Sequence, residues 1–348
     1  MNAMDKNVNV VTNLDRRRIN RKRLAICDKD QEYLSMIQAY LVKKNPARFD
    51  IIVFDSIKET AAASKEEPFE IVLVSEGIYD TNVTNISAQK IFILQENGLV
   101  QITGYSMVNK YQSIERLIGQ VLDAFALDET CMSIESRGRT PSKLISFYAP
   151  DRHKGQSIAA LTAAQILSDR GNKTLYISMQ PFSGFEELFE TRYEADITDF
   201  MYFILTHSDK LLYKLEGIKR TIHGVDYLPP ALDYADLINI EEDEWKQCFD
   251  ALLYSSDYAY IIVDLTETSK GFYQLLERSD TIYLLSEQDN ISKAMHRQFE
   301  QLIRIKGLGA VLEKSVKIHL MSGWENYCSN LEQLCVSPLG GYMKGILT

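Results

Sequence analysis

Apolar runs of strand length recur along this chain, and most are followed by a stretch with helical spacing. "RLAICD" (23–28), "FDIIVFD" (49–55), "FEIVLVSE" (69–76) and "KIFILQE" (90–96) come first. "LISFYAP" (144–150), "KTLYISM" (173–179), "YAYIIVDL" (258–265), "DTIYLLSE" (280–287) and "SVKIHLMS" (315–322) follow. A strand that is apolar at successive positions is buried on both faces, which in practice means a parallel sheet covered by helices on each side. The intervening stretches supply those helices. "QEYLSMIQAYLVKK" places Leu34, Ile37, Tyr40 and Leu41 on one stripe, and "IKETAAASKEE", "SIERLIGQVLDAF", "SIAALTAAQILSDRG" and "ISKAMHRQFEQLIRI" are read as helices too. The fold class is therefore α/β, with two doubly wound parallel-sheet domains.

A length of 348 residues suits about two domains of roughly 150 residues each. Residues 1–20 run into the cluster "RRRINRKR" and are read as a disordered basic tail with solvated charge. Residues 21–127 form the first domain. The polar stretch 128–143, with Gly138 and Pro141, is the expected linker. Residues 144–348 form the second domain, in which Gln180 to about Tyr254 is more irregular, acidic and aromatic.

The formal net charge is -10, which argues against a basic nucleic-acid-binding face, so no nucleic-acid partner is expected. The cysteines Cys27, Cys131, Cys248, Cys328 and Cys335 are scattered and never paired as CxxC, so neither a disulfide framework nor a zinc site is expected. Asp233 and Asp236 share helical spacing but have no histidine beside them, and no metal is assigned there. No apolar run reaches about 18 residues, so stable membrane insertion is not expected. The polar start gives no sign of a signal peptide, and the chain is read as cytoplasmic.

The stretch from Tyr148 to Met179 reads as strand, loop, helix, turn and strand, the setting of a phosphate-binding loop. Such a loop needs glycines so that backbone N–H groups can surround the anion. It also needs a lysine for the outer phosphates and a hydroxyl for magnesium. Here the loop is Asp151, Arg152, His153, Lys154, Gly155, Gln156 and Ser157. Gly155 and Ser157 suit its end. Gln156 stands where lysine is needed, and Arg152 and His153 stand where glycines are needed. Asp264, closing "YAYIIVD", suits a magnesium-coordinating acid. The alternative roles are an N-cap for Ser157 and a solvated strand-end acid or a cap for Asp264.

With "FYAPDRHKGQSIAALTAAQILSDRGNKTLYISMQPF" and "DYAYIIVDLTE" in place, residues 140–348 resemble the MinD/ParA family of P-loop ATPases. The likeness is to its CpaE-like branch, associated with Flp/Tad pilus assembly. The resemblance implies ATP or ADP with magnesium, dimers closed over nucleotide, and partners in a pilus or secretion apparatus. Against the family loop, Asp151 replaces the signature lysine, Arg152 and His153 replace two glycines, and Gln156 replaces the phosphate-binding lysine. Ser178 replaces the acid after the next strand. Gly155, Ser157 and Asp264 survive.

Residues 22–127 resemble a response-regulator receiver, a domain that CpaE-like proteins often carry. Its phosphoacceptor falls on Ser75, its acid pair on Cys27 and Asp28 with Asp30 just beyond, its switch residue on Gln95, and its lysine on Lys110. Tyr111 replaces the usual following proline. A serine at the acceptor position does not suit phosphorylation by a histidine kinase. With both sites altered, the leading reading is an adaptor that acts through protein surfaces, with a homodimer among its possible states. A working ATPase using Arg152 or Lys154, and a phosphorylation-independent signalling module, are the alternatives.

Overall fold

The structure is a computed structural model that describes residues 22–44, 49–96, 102–128, 140–207, 210–320, 322–327 and 331–347. The basic tail (1–20) and most of the expected linker (128–143) lie outside these residues. The chain divides into two compact units, Met1–Met132 and Ser133–Thr348.

In the first unit, β1 (Lys22–Cys27), β2 (Phe49–Phe54), β3 (Phe69–Ser75), β4 (Ala88–Gln95) and β5 (Ser106–Asn109) form one sheet in the order β2-β1-β3-β4-β5. Every pairing in it is parallel. The buried runs Leu24–Cys27 and Ile71–Ser75 make the centre, as their unbroken apolar character requires. Ser56 and Ser113 cap the helices Ile57–Glu66 and Ile114–Ala126 by accepting backbone N–H bonds from Glu59 and Arg116. Between β3 and β4 the crossover is made by two short 3-10 turns, Glu76–Ile78 and Thr81–Asn85, instead of an α-helix. This order reverses direction between β1 and β3, which opens a crevice at the carboxyl ends of those strands.

The second unit holds β6 (Lys143–Tyr148), β7 (Thr174–Ser178), β8 (Arg220–Ile222), β9 (Val225–Leu228), β10 (Tyr260–Asp264), β11 (Thr281–Leu285) and β12 (Ser315–Ile318). Their order is β12-β11-β6-β10-β7-β9-β8, parallel throughout except for the antiparallel β8–β9 pair. The stretch read as irregular contains that hairpin and the helices Ile197–Thr206, Leu211–Ile218, Tyr234–Asn239 and Glu242–Ser255.

The helix Gln156–Asp169 is buried on nearly every face, including Ala159, Ala160, Ala163 and Ala164. The sheet covers one side and the C-terminal segment covers the other. Gln165 clasps that segment: its amide donates to the Leu331 carbonyl at 2.5 Å and accepts from the Cys335 N–H at 3.1 Å. Pro338 stands in the first turn of the helix Pro338–Lys344, where a missing backbone N–H costs no helical hydrogen bond. That helix turns Leu339 and Met343 into the core. At Gly340 a Cβ would lie 2.4 Å from the Leu334 and Cys335 carbonyl oxygens, so the close approach needs glycine. Among the described residues no helix is long and apolar enough to cross a membrane.

Candidate functional site

The second unit gathers its candidate residues at the carboxyl ends of β6, β7 and β10. Asp264 ends β10, pairs in register with Phe147 and Ser178 on its two neighbours, and is fully buried. A carboxylate without water must find donors within the protein. Asp264 finds four. Gln156 and Gln180 donate their side-chain amides to Oδ1 at 2.6 and 2.9 Å. Ser157 Oγ and Tyr176 OH donate to Oδ2 at 2.5 and 3.1 Å. Burial pushes the Asp264 carboxyl above the usual carboxylate range, and these hydrogen bonds offset only part of that shift. The Tyr176 phenol is pushed well above its ordinary value by the same burial, with the Asp264 charge adding to it.

Gln156 lies at the first position of the helix, where its side chain folds inward. Its amide also reaches the Phe147 and Leu265 carbonyls, at 3.1 and 2.8 Å. Ser157 follows it inside the helix, and Gly155 is the N-cap residue, so Ser157 does not cap this helix. The acid read at the end of β10 is neither solvated nor a cap. Both residues that suit a magnesium end are thus hydrogen-bonded to each other, and the residue at the lysine position holds them from the other side.

The rest of the loop is pinned at each residue up to His153. Asp151 Oδ2 accepts from the Glu287 N–H at 3.1 Å and from the Ser292 hydroxyl. Arg152 adopts φ 57, the left-handed conformation that a glycine takes at little cost, and pairs at the surface with Glu267 at 3.1 Å. His153 accepts the Gly155 N–H on Nδ1 at 2.9 Å and faces Glu287 Oε1 through Nε2 at 2.9 Å. The Gln156 N–H turns to the His153 carbonyl at 3.0 Å. Two backbone amides that would face an anion in a phosphate cradle are therefore directed to His153. A Cβ on Gly155 would lie 2.3 Å from Leu320 Cδ1, so the loop is closely covered on that side as well. Lys154 is exposed and has no ion-pair partner among the described residues.

As they stand, these residues do not fit a magnesium nucleotide. The carboxylate is saturated, the hydroxyl is committed to it, no lysine faces the loop interior, and part of the amide cradle is occupied. Among the described residues no group of three or more His, Cys, Asp or Glu is placed to hold a metal ion.

In the first unit, Asp28, Ser75 and Lys110 meet at the carboxyl ends of their strands, with a residue that the sequence reading did not single out. Lys110 Nζ lies 2.7 Å from Asp28 Oδ2 and 2.9 Å from Glu96 Oε1, and Ser75 Oγ donates to the same Glu96 oxygen at 2.6 Å. Burial works against the Lys110 charge, but Asp28 and Glu96 outweigh it and hold the ammonium well above the usual lysine range. Ser75 and Lys110 hold the Glu96 carboxyl below its ordinary value. Gln95 contributes its backbone carbonyl, which accepts the Lys110 N–H at 2.9 Å. Asp30 caps the helix Gln31–Lys44 through the N–H groups of Glu32 and Tyr33. The acceptor position thus carries a hydroxyl that is already bonded to a carboxylate.

Gln180, Tyr176 and Glu96 are the site residues that sequence reading missed. Gln180 and Glu96 are ordinary residues just beyond strand ends and Tyr176 lies in the middle of β7, and only the register of neighbouring strands reveals their partners. Ser178, read in place of an acid, is buried and accepts the Gln180 N–H at 3.4 Å, which helps aim that side chain.

No family model and no curated protein match the chain. Among solved structures it is similar to a ParA family ATPase from Chlorobium tepidum, at 17% identity over 57% of this chain and 82% of that one, with a TM-score of 0.43. It is also similar to a plasmid partition protein from Borrelia burgdorferi, at 15% identity over 59% and 99% of the two chains, with a TM-score of 0.42. For the MinD cell division protein of Aquifex aeolicus the values are 17%, 59%, 78% and 0.40.

Proposed function

We propose that this chain is a two-domain adaptor or regulator, resembling CpaE-like members of the MinD/ParA family, that works through protein contacts without nucleotide turnover. Residues 21–127 act as a pseudo-receiver and residues 144–348 as a degenerate P-loop domain. Its partners are proteins, of the kind found in a pilus or secretion apparatus, and it works in the cytoplasm. The observation that carries the reading is the saturation of Asp264 by Gln156, Gln180, Ser157 and Tyr176. Phosphoryl transfer depends on positioning and on neutralising charge. Here the side chains that would do so are hydrogen-bonded among themselves. The test is calorimetry with ATP and with ADP, each with and without magnesium. No binding up to millimolar nucleotide is expected, and micromolar, magnesium-dependent binding would overturn the reading.

Lys154 favours a second reading. It is an exposed cation beside the loop with no partner among the described residues, and with Arg152 it could serve a rearranged ATPase site. Under the adaptor reading the purified protein shows no ATPase rate for Lys154→Ala with Arg152→Ala to abolish. Gln156→Lys is also expected to yield no turnover, because Asp151 and His153 still close the loop. Steady phosphate release by Gln156→Lys would show that one residue separates this site from catalysis.

A further inference from the structure

We propose that this chain assembles head to tail with copies of itself, the helix Asn290–Ile305 of one copy docking on the surface around Phe182 and Tyr234 of the next. The two surfaces belong to the second unit and are opposite in charge. The helix buries Ser292, His296, Phe299 and Ile303 and leaves a second apolar stripe outside, at Ile291, Met295, Leu302 and Ile305. Ile291 and Ile305 are 74% and 73% exposed, far more than packing within the unit would leave. On the exposed side Lys293, Arg297 and Arg304 run along the far edge, about a third of a turn or more from the stripe, and Lys306 follows the helix end, against the helix's single carboxylate, Glu300, which is engaged by Lys317 and Arg304. Lys293 and Arg297 have no ion-pair partner among the described residues.

The complementary surface lies at the loops after β7 and β9. Phe182 and Leu232 are 84% and 83% exposed, and the Phe182 ring lies 5.9 Å from that of Tyr234. Residues 180–207 carry six acids and one cation, Arg192, which is spent on Glu186 and Glu187. Residues 229–245 carry six acids and no lysine or arginine. An exposed aromatic cluster between acidic segments calls for a partner that is apolar and cationic, and the helix of a second copy supplies both.

One copy cannot satisfy itself. The helix connects β11 to β12, the patch lies beyond β7 and β9, and β6 and β10 intervene. At about 4.8 Å per strand the surfaces stand roughly 14 to 24 Å apart. Two unlike surfaces on one chain make a heterologous contact, which propagates as a ring or a filament. A basic amphipathic helix also suits an anionic bilayer, but a bilayer leaves the acidic aromatic patch unexplained.

Sedimentation velocity on the full chain tests this. The wild type is expected to form concentration-dependent oligomers that shrink as salt is raised. Met295→Glu with Leu302→Glu breaks the helix surface, and Phe182→Ser with Leu232→Ser breaks the patch. Each variant is expected to associate about tenfold more weakly or worse. Mixing them is expected to give one-to-one heterodimers and nothing larger, because a single intact contact remains. Arg297→Glu with Arg304→Glu keeps the apolar stripe and should weaken association likewise, which guards against misfolding of the first helix variant. A wild type that is monomeric at every concentration overturns the proposal. So does a mixture that stays monomeric, or a dimer that both variants retain. Co-flotation of a monomeric wild type with phosphatidylglycerol vesicles, lost in the helix variants, would assign the helix to membranes and overturn it too.

Discussion

Lys110→Ala is expected to remove about 3–5 kcal/mol from the stability of the first unit, because it strands a buried carboxylate. Lys110 and Asp28 are both buried, and Glu96 and Ser75 complete the cluster. Without the ammonium, the Asp28 carboxyl is left in the core with only the Asp30 N–H, at 3.0 Å, as a hydrogen-bond donor among the described residues. Against a total stability of about 5–15 kcal/mol for an ordinary domain, that loss brings the unit close to unfolding. Lys110→Met separates the causes: it restores apolar volume but not charge, so its cost should approach that of alanine.

The dependence on pH carries a sign at each end. The Lys110 pKa is raised on folding, so its contribution is complete below the ordinary lysine value and is lost as pH rises through the folded value. The Glu96 pKa is lowered, so its contribution is present above the ordinary glutamate value and is lost as pH falls through the folded value. Denaturant titrations followed by circular dichroism across pH should therefore show a plateau that slopes down at both ends, and Lys110→Ala should flatten it. A cost below about 1 kcal/mol, the range of exposed ion pairs, would mean that the cluster is solvated.

The second large effect is on Asp264. Asp264→Ala is expected to cost about 3–5 kcal/mol, since the amides of Gln156 and Gln180 and the hydroxyls of Ser157 and Tyr176 lose a buried acceptor together. At about 2–4 °C per kcal/mol for a unit of this size, the midpoint should fall by roughly 10 °C. Both tryptophans, Trp245 and Trp324, belong to the second unit, so their fluorescence follows it alone. Asp264→Asn should cost less, because one oxygen still accepts. Burial raises the Asp264 pKa, so the folded state keeps the proton to higher pH than the unfolded chain does. Stability from this group therefore falls as pH rises from the unfolded value through the folded one, and the asparagine variant should lose that slope. If alanine left the melting curve unchanged, Asp264 would be a solvated functional acid and the closed-site reading would fail.

The sheets were legible because a doubly buried strand leaves no polar position along its length. "FEIVLVS" and "YIIVD" admit few other readings, and both are central strands. The β8–β9 hairpin was hidden because Arg220–Ile222 and Val225–Leu228 are three and four residues long and lack a continuous apolar run. Ser75, Lys110, Ser157 and Asp264 were legible as site positions because strand ends and helix starts converge at the carboxyl edge of a parallel sheet. What they do there was not legible. Whether Gln156 points outward to a ligand or inward to Asp264 depends on Gln180, a residue 24 positions away that carries no signature. Glu96 escaped notice for the same reason: it follows a strand, and only its approach to Ser75 and Lys110 gives it a role.

The clasp between Gln165 and residues 331–335 has a consequence for synthesis. The helix Gln156–Asp169 leaves the ribosome early, yet the segment that covers its outer side is translated more than 160 residues later. At about 5–20 residues per second that is a wait of roughly 10–30 s. During it the alanine-rich helix has an uncovered face, while the first unit already has its whole sequence. The second unit is therefore the part of the nascent chain with most need of a chaperone, and loss of the last helix would leave that need permanent.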